Sequence, residues 1–164
     1  MFKDLQKIKD LGFIGFKTVE ELMKDNSSIP NERGIYLIIN PECSKNDFII
    51  KGDGGFFKGK DPNVSINELS LNWVDDCHVL YIGQAGGASS SATLRKRLRQ
   101  YLDFGKGKPV GHYGGRLIWQ LSHNKDLIIA WKCTGSLDPR EEEKKLINDF
   151  SNHYSKLPFA NLRF

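Results

Sequence analysis

Gly34-Ile35-Tyr36-Leu37-Ile38-Ile39, closed by Asn40-Pro41, is the stretch on which the fold turns. β-Branched and aromatic residues ended by a turn dipeptide read as a strand. A second run of this kind, His78-Val79-Leu80-Tyr81-Ile82, ends at Gly83-Gln84-Ala85-Gly86-Gly87. Two more strands are predicted over 116–121 and 127–133, the latter alternating Leu127, Ile129, Trp131 and Cys133 on one face. Phe48-Ile49-Ile50 is a shorter run that leads into a glycine-rich loop or hairpin at 52–60. Helices are expected at 18–24 behind a Thr18 cap, near 66–71, from about 93 to 104 with a Leu94, Leu98, Leu102 stripe ended by Gly105, and over 139–154 behind Asp138-Pro139. Strands and helices mix without strict βαβ alternation. The expected architecture is therefore α+β, a small and mainly antiparallel sheet flanked by helices, rather than a doubly wound parallel sheet. A helical extension over 1–33 precedes a domain over 34–164, the whole forming one compact unit.

The chain has 164 residues, enough for a single well-buried core. With 39% apolar and 27% charged residues it reads as globular, which excludes a disordered segment. No run approaches the ~18 apolar residues of a membrane span, and the start lacks the apolar core of a secretory leader, so a cytoplasmic protein with no membrane partner is expected. Cys43, Cys77 and Cys133 show no Cys-x-x-Cys spacing. Neither a disulfide framework nor a structural zinc site is indicated.

The formal net charge of +4 is unevenly placed. Residues 91–120 hold Arg95, Lys96, Arg97, Arg99, Lys106, Lys108 and Arg116 against one acid, Asp103, a local charge of +6. Such focusing suits a phosphate-backbone binder, for which these cations and His112 are the candidate contacts; the alternative is a solvated basic helix face.

Two helices carry polar residues on the wrong side. Around Glu143, at about 100° per residue, Leu146, Ile147, Phe150 and Tyr154 all lie within about 60°, which puts this carboxylate on the apolar face. An inward carboxylate either pairs with an arginine or holds a divalent cation, and one carboxylate plus waters and substrate phosphate suits Mg²⁺. Arg97 and Tyr101, one turn apart, share one border of the leucine stripe, where guanidinium and hydroxyl could reach one phosphate; Arg95 and Arg99 lie on the other border. The turn at 83–87 could present N–H groups to an anion. It matches neither Walker A nor Gly-x-Gly-x-x-Gly, so no nucleotide cofactor is expected. His112 and His123 have no metal-ligand spacing.

Taken together, the residues resemble the GIY-YIG nuclease superfamily. Gly34-Ile35-Tyr36 and Tyr81-Ile82-Gly83 stand as its two triplets, followed by an arginine helix with Arg97 and Tyr101, a helix with Glu143, and a terminal Asn161. The resemblance covers 34–161. It implies a DNA endonuclease with one Mg²⁺ or Mn²⁺ ion on Glu143, Arg97 stabilising phosphate charge, and a tyrosine of the two triplets taking a proton from the attacking water: Tyr81, with Tyr36 and Tyr101 orienting it, or Tyr36, between which the sequence does not separate. Asn161 would orient groups around the phosphate. A non-cleaving nucleic-acid-binding module is the leading alternative.

The chain also departs from the family. Tyr36 and Tyr81 stand 45 positions apart, which requires an insertion at about 44–75, and Gln84 stands where some members carry lysine. The run Gly111-His112-Tyr113-Gly114-Gly115-Arg116-Leu117-Ile118-Trp119-Gln120-Leu121 is similar to one in the restriction-endonuclease branch. Specificity is expected from the insertion, from the basic linker at 106–116, or from dimerisation on a duplex. The loop at 52–60 is a candidate groove reader, set against an ordinary surface hairpin.

Overall fold

The computed structural model describes residues 1–87, 90–111 and 113–162. The elements run α1 (Leu5–Asp10), β1 (Ile14–Thr18), α2 (Val19–Lys24), β2 (Gly34–Ile39), α3 (Ile66–Asn72), β3 (Val79–Ala85), α4 (Leu94–Gly105), β4 (Ile128–Cys133) and α5 (Pro139–Tyr154). Among the described residues the strands form one antiparallel sheet in the order β1-β4-β2-β3. The segment before Gly34 is thus not purely helical: its β1 supplies the edge that pairs with β4.

All six residues of β2 are buried, because the sheet is covered on both faces. Ile35, Leu37 and Ile39 join Ile147 and Phe150 of α5 and Ile8 of α1 on one side. Tyr36 and Ile38 join Leu22 of α2 and Leu94, Leu98 and Leu102 of α4 on the other. Period-2 alternation thus sends consecutive residues of β2 into two separate cores. Local chemistry fixes the flanking helices. Thr18 and Glu21 form a capping box at α2, and Asp138 accepts from Arg140 N with Pro139 in the first turn of α5. Thr93 caps α4, whose first amides Leu94 N and Arg95 N donate to Glu32 O and Pro30 O.

Three expectations change. The stretch 116–121 is not a strand but part of a 3₁₀ segment, Tyr113–Gln120. Leu117, Ile118, Trp119 and Leu121 are all buried, so no face alternates outward. Phe48-Ile49-Ile50 makes only an isolated bridge, Phe48 to Leu121, and Ile50 is 80% exposed. β3 continues through Gly83 to Ala85, which removes most of the predicted anion-presenting turn. The three cysteines are free, and among the described residues no helix is long and apolar enough to cross a membrane.

Candidate active site

β2 and β3 position two tyrosines through register alone. Tyr36 lies opposite Gly83, so Tyr81, two residues back, is its diagonal neighbour, and the ring centroids are 6.0 Å apart. An extra residue in β3, where the register shifts between Ile38 and Ile39, leaves Leu80 and Tyr81 in the same core. The glycine opposite Tyr36 is required by contact: a Cβ on Gly83 would stand 2.6 Å from the Tyr36 hydroxyl oxygen. Gly34 is constrained likewise, since its Cβ would lie 2.8 Å from a methyl of Leu94 on α4.

The cleft opens where β3 gives way to the 85–93 connection. It has a volume of about 220 Å³ and is lined by Tyr36, Tyr81, Gln84, Gly86, Ser90, Arg97 and Glu143. Arg97 enters from α4, its Nη1 donating to Gly111 O at 3.0 Å. Hydrogen bonds link Arg97 to the Tyr36 hydroxyl and Tyr36 to Tyr81. Glu143 enters from α5 on the opposite side.

Burial raises Tyr36 well above the ordinary tyrosine range, and the neighbouring Tyr81 adds to it while Arg97 opposes. Tyr81 is also raised by burial, with the Arg97 guanidinium and the Tyr36 hydrogen bond favouring its phenolate and Glu143 opposing it. Burial pushes the Glu143 carboxyl up to about 7 despite Arg140, Arg97 and Lys144. Gln84 and Ser90 line the same cleft as this carboxyl. Among the described residues no group of three or more His, Cys, Asp or Glu is placed to hold a metal ion.

Two predicted catalytic residues lie elsewhere. Tyr101 is fully buried, stacked on Tyr81 with centroids 6.2 Å apart and packed on Trp119 at 5.2 Å, and it does not line the cleft. Its ring packs behind Tyr81, away from the lining that Arg97 joins. Asn161 is also withdrawn: its Oδ1 accepts from Ile82 N and its Nδ2 donates to Ile82 O, both at 2.9 Å. With Ala160 N donating to Leu80 O at 2.8 Å, the tail pairs with the outer edge of β3 as a strand would.

The basic segment is dispersed. Arg95 donates from Nε to Ile29 O at 2.8 Å and from Nη2 to Ser27 O at 3.1 Å, which ties down the loop after α2. Lys106 reaches Met23 O at 3.5 Å, Lys108 pairs with Asp103 at 3.5 Å, and Arg116 is half-buried. Lys96 and Arg99 are exposed on α4. His112 lies outside the described residues.

Gln84, Gly86 and Ser90 complete the lining without having been singled out as site residues. Counting by twos from Ile82, which packs with the α5 core, would have put Gln84 on the Glu143 side. Gly87 N donates to Gln84 Oε1 at 3.1 Å, so one amide of the 83–87 turn is already engaged. No protein family, curated protein or solved structure matches the chain.

Proposed function

We propose that this chain is a metal-dependent endonuclease that hydrolyses DNA phosphodiester bonds with a GIY-YIG type of site. The observation that carries this reading is the convergence of Tyr36, Tyr81, Arg97 and Glu143, from four different elements, on one polar cleft. Glu143 would hold the ion, with Gln84 and Ser90 within the same lining. When bound, Mg²⁺ or Mn²⁺ supplies positive charge at the phosphate and at the leaving 3′ oxygen.

The chain's own groups divide the remaining tasks. Tyr81 serves as the proton acceptor: burial, the largest influence, raises it, while the Arg97 guanidinium and the hydrogen bond from Tyr36 favour its phenolate. Tyr36 donates to Tyr81 and accepts from Arg97, so it orients the base rather than acting as one. As water adds to phosphorus its proton passes to the Tyr81 phenolate, the P–O3′ bond breaks and the 3′ alkoxide takes a proton from solvent, while Arg97 neutralises charge on the phosphoryl oxygens. Tyr101 and Asn161 act by position, fixing the Tyr81 ring and the strand that carries it.

Plasmid nicking tests the proposal. Wild-type protein should nick with Mg²⁺ or Mn²⁺ and not in EDTA, and Glu143→Ala and Arg97→Ala should abolish nicking. Cleavage in EDTA, or full activity of Glu143→Ala, would sink it. DNA binding with no cleavage even in Mn²⁺ would favour a non-cleaving binding module.

A further inference from the structure

The insertion between the tyrosine strands contains a loop that is held rigidly although it has almost no regular structure. Gln120 Nε2 donates to Ile49 O, Ile50 O and Val64 O at 3.1, 3.2 and 2.9 Å, and its Oε1 accepts from Val64 N at 2.9 Å. Within this frame Gly52 N donates to Asn63 Oδ1 at 2.8 Å, Asp53 N to Trp119 O at 3.1 Å, and Gly55 N to Phe104 O at 2.9 Å. A loop anchored at so many points presents a fixed surface.

That surface is cationic and aromatic. Phe56 is 46% exposed, and Lys58 is exposed with its Nζ 5.3 Å from the centroid of the Phe57 ring. The two acids of the loop are engaged by asparagines: Asn124 Nδ2 donates to Asp53 Oδ2 at 3.0 Å, and Asp61 Oδ1 accepts from Asn63 N and Nδ2 at 2.9 and 2.8 Å. Lys58 adopts the left-handed conformation, φ 54° and ψ 35°, where a glycine would be less strained.

The loop also adjoins the cleft. Phe57 lies against Gly111, where an added Cβ would be 3.6 Å from its ring, and Gly111 O accepts from Arg97 at 3.0 Å. The backbone of Lys108 packs on Gly55, which brings a second lysine to the same rim. We infer that residues 55–60 and Lys108 form the surface on which duplex DNA leaving the cleft past Arg97 rests. Lys58 meets a phosphate, Lys108 does so by exchanging its 3.5 Å pair with Asp103, and Phe56 lies against a sugar or base edge. This inference rests on the nuclease reading and adds where the flanking duplex is held.

Lys58→Gly is the decisive variant, since it removes the charge while relieving the backbone strain. The full chain, in EDTA, is titrated into a short fluorescent duplex over a range of KCl concentrations. Lys58→Gly should melt no lower than wild type, bind roughly threefold to tenfold more weakly, and lower the slope of log affinity against log salt by about 1. Phe56→Ala should weaken binding by a similar factor with the slope unchanged. Wild-type affinity and slope in both variants, while the wild-type protein binds and cuts duplex, would overturn the inference and leave the nuclease reading standing. Losses seen with a single strand but not with duplex would overturn it in favour of a single-stranded occupant. A wild-type protein that neither binds nor cuts DNA would remove the nuclease reading itself, and the inference with it.

Discussion

Replacing Glu143 by Gln separates what the geometry does to the carboxyl from what a metal does to it. In the folded chain burial pushes this carboxyl from 4.5 up to about 7. Between those values the folded state holds a proton that the unfolded chain has released, so ionisation opposes folding more and more as pH rises. The cost of the charge is absent below about pH 4.5 and complete above about pH 7. At ~1.36 kcal/mol per pH unit the whole rise corresponds to at most ~3.4 kcal/mol. The side chain is only partly buried, and solvent screening reduces this to ~1–2 kcal/mol.

Glutamine keeps the shape and removes the charge. Glu143→Gln should therefore be more stable than wild type by ~1–2 kcal/mol at pH 8, raising Tm by roughly 2–8 °C, and nearly equal to it at pH 4.5. Thermal melts of both proteins in EDTA at the two pH values measure this directly. Adding Mg²⁺ at pH 8 should then raise the wild-type Tm, because a ligand that binds only the folded state stabilises it, and leave the variant unmoved. A variant that is less stable than wild type at pH 8, or equally stabilised at both pH values, would refute the burial argument. Equal Mg²⁺ shifts in the two proteins would refute Glu143 as the metal ligand while leaving the burial argument intact.

Tyr81→Phe should lower the cleavage rate ~10²–10⁴-fold, as expected for loss of a general base, and Tyr36→Phe should lower it less; single-turnover rates in the reverse order would exchange the two roles. Gly83→Ala should destabilise by ~1–3 kcal/mol in urea unfolding, because its methyl meets a Tyr36 ring buried on every side; an unchanged midpoint would show that the ring can move. Asn161→Ala should cost ~2 kcal/mol by removing two bonds to the Ile82 backbone, and hydrogen exchange at the Ile82 amide should quicken; unchanged exchange would argue against the clamp. Burial and the nearby Lys45 hold the His123 imidazole below its usual range, so the unfolded chain protonates first and stability falls as pH drops below about 6.5. His123→Gln should flatten that acid-side loss in urea midpoints taken between pH 5 and 7.5, and an identical slope in the variant would place its origin elsewhere.

The elements that read correctly from sequence are those whose pattern depends on near neighbours. α5 has a proline first turn behind Asp138 and an apolar face interrupted only at Glu143, and both features are local. The helical wheel also placed Arg97 correctly on a border of α4. It placed Tyr101 on the same border and was silent about depth: turned slightly further toward the leucines, the ring goes under Tyr81 and against Trp119 instead of into the cleft. A charge count is similarly blind to carbonyls. The +6 segment is real, yet Arg95 serves Ile29 O and Ser27 O, and Lys108 serves Asp103, which leaves Arg97 as the cation that lines the cleft. The false strand at 116–121 has a non-local cause as well. An apolar run buried on all sides is equally compatible with a strand or with a tight helix, and the choice falls to whichever backbone partners remain. The outer edge of β3 is occupied by Ala160 and Asn161, so a fifth strand had no edge to join there, and Gln120 and Trp119 became anchors for the insertion instead. Asn161 therefore influences the cleft from outside it. By bonding to both backbone groups of Ile82 at the edge of β3 it fixes the strand that carries Tyr81.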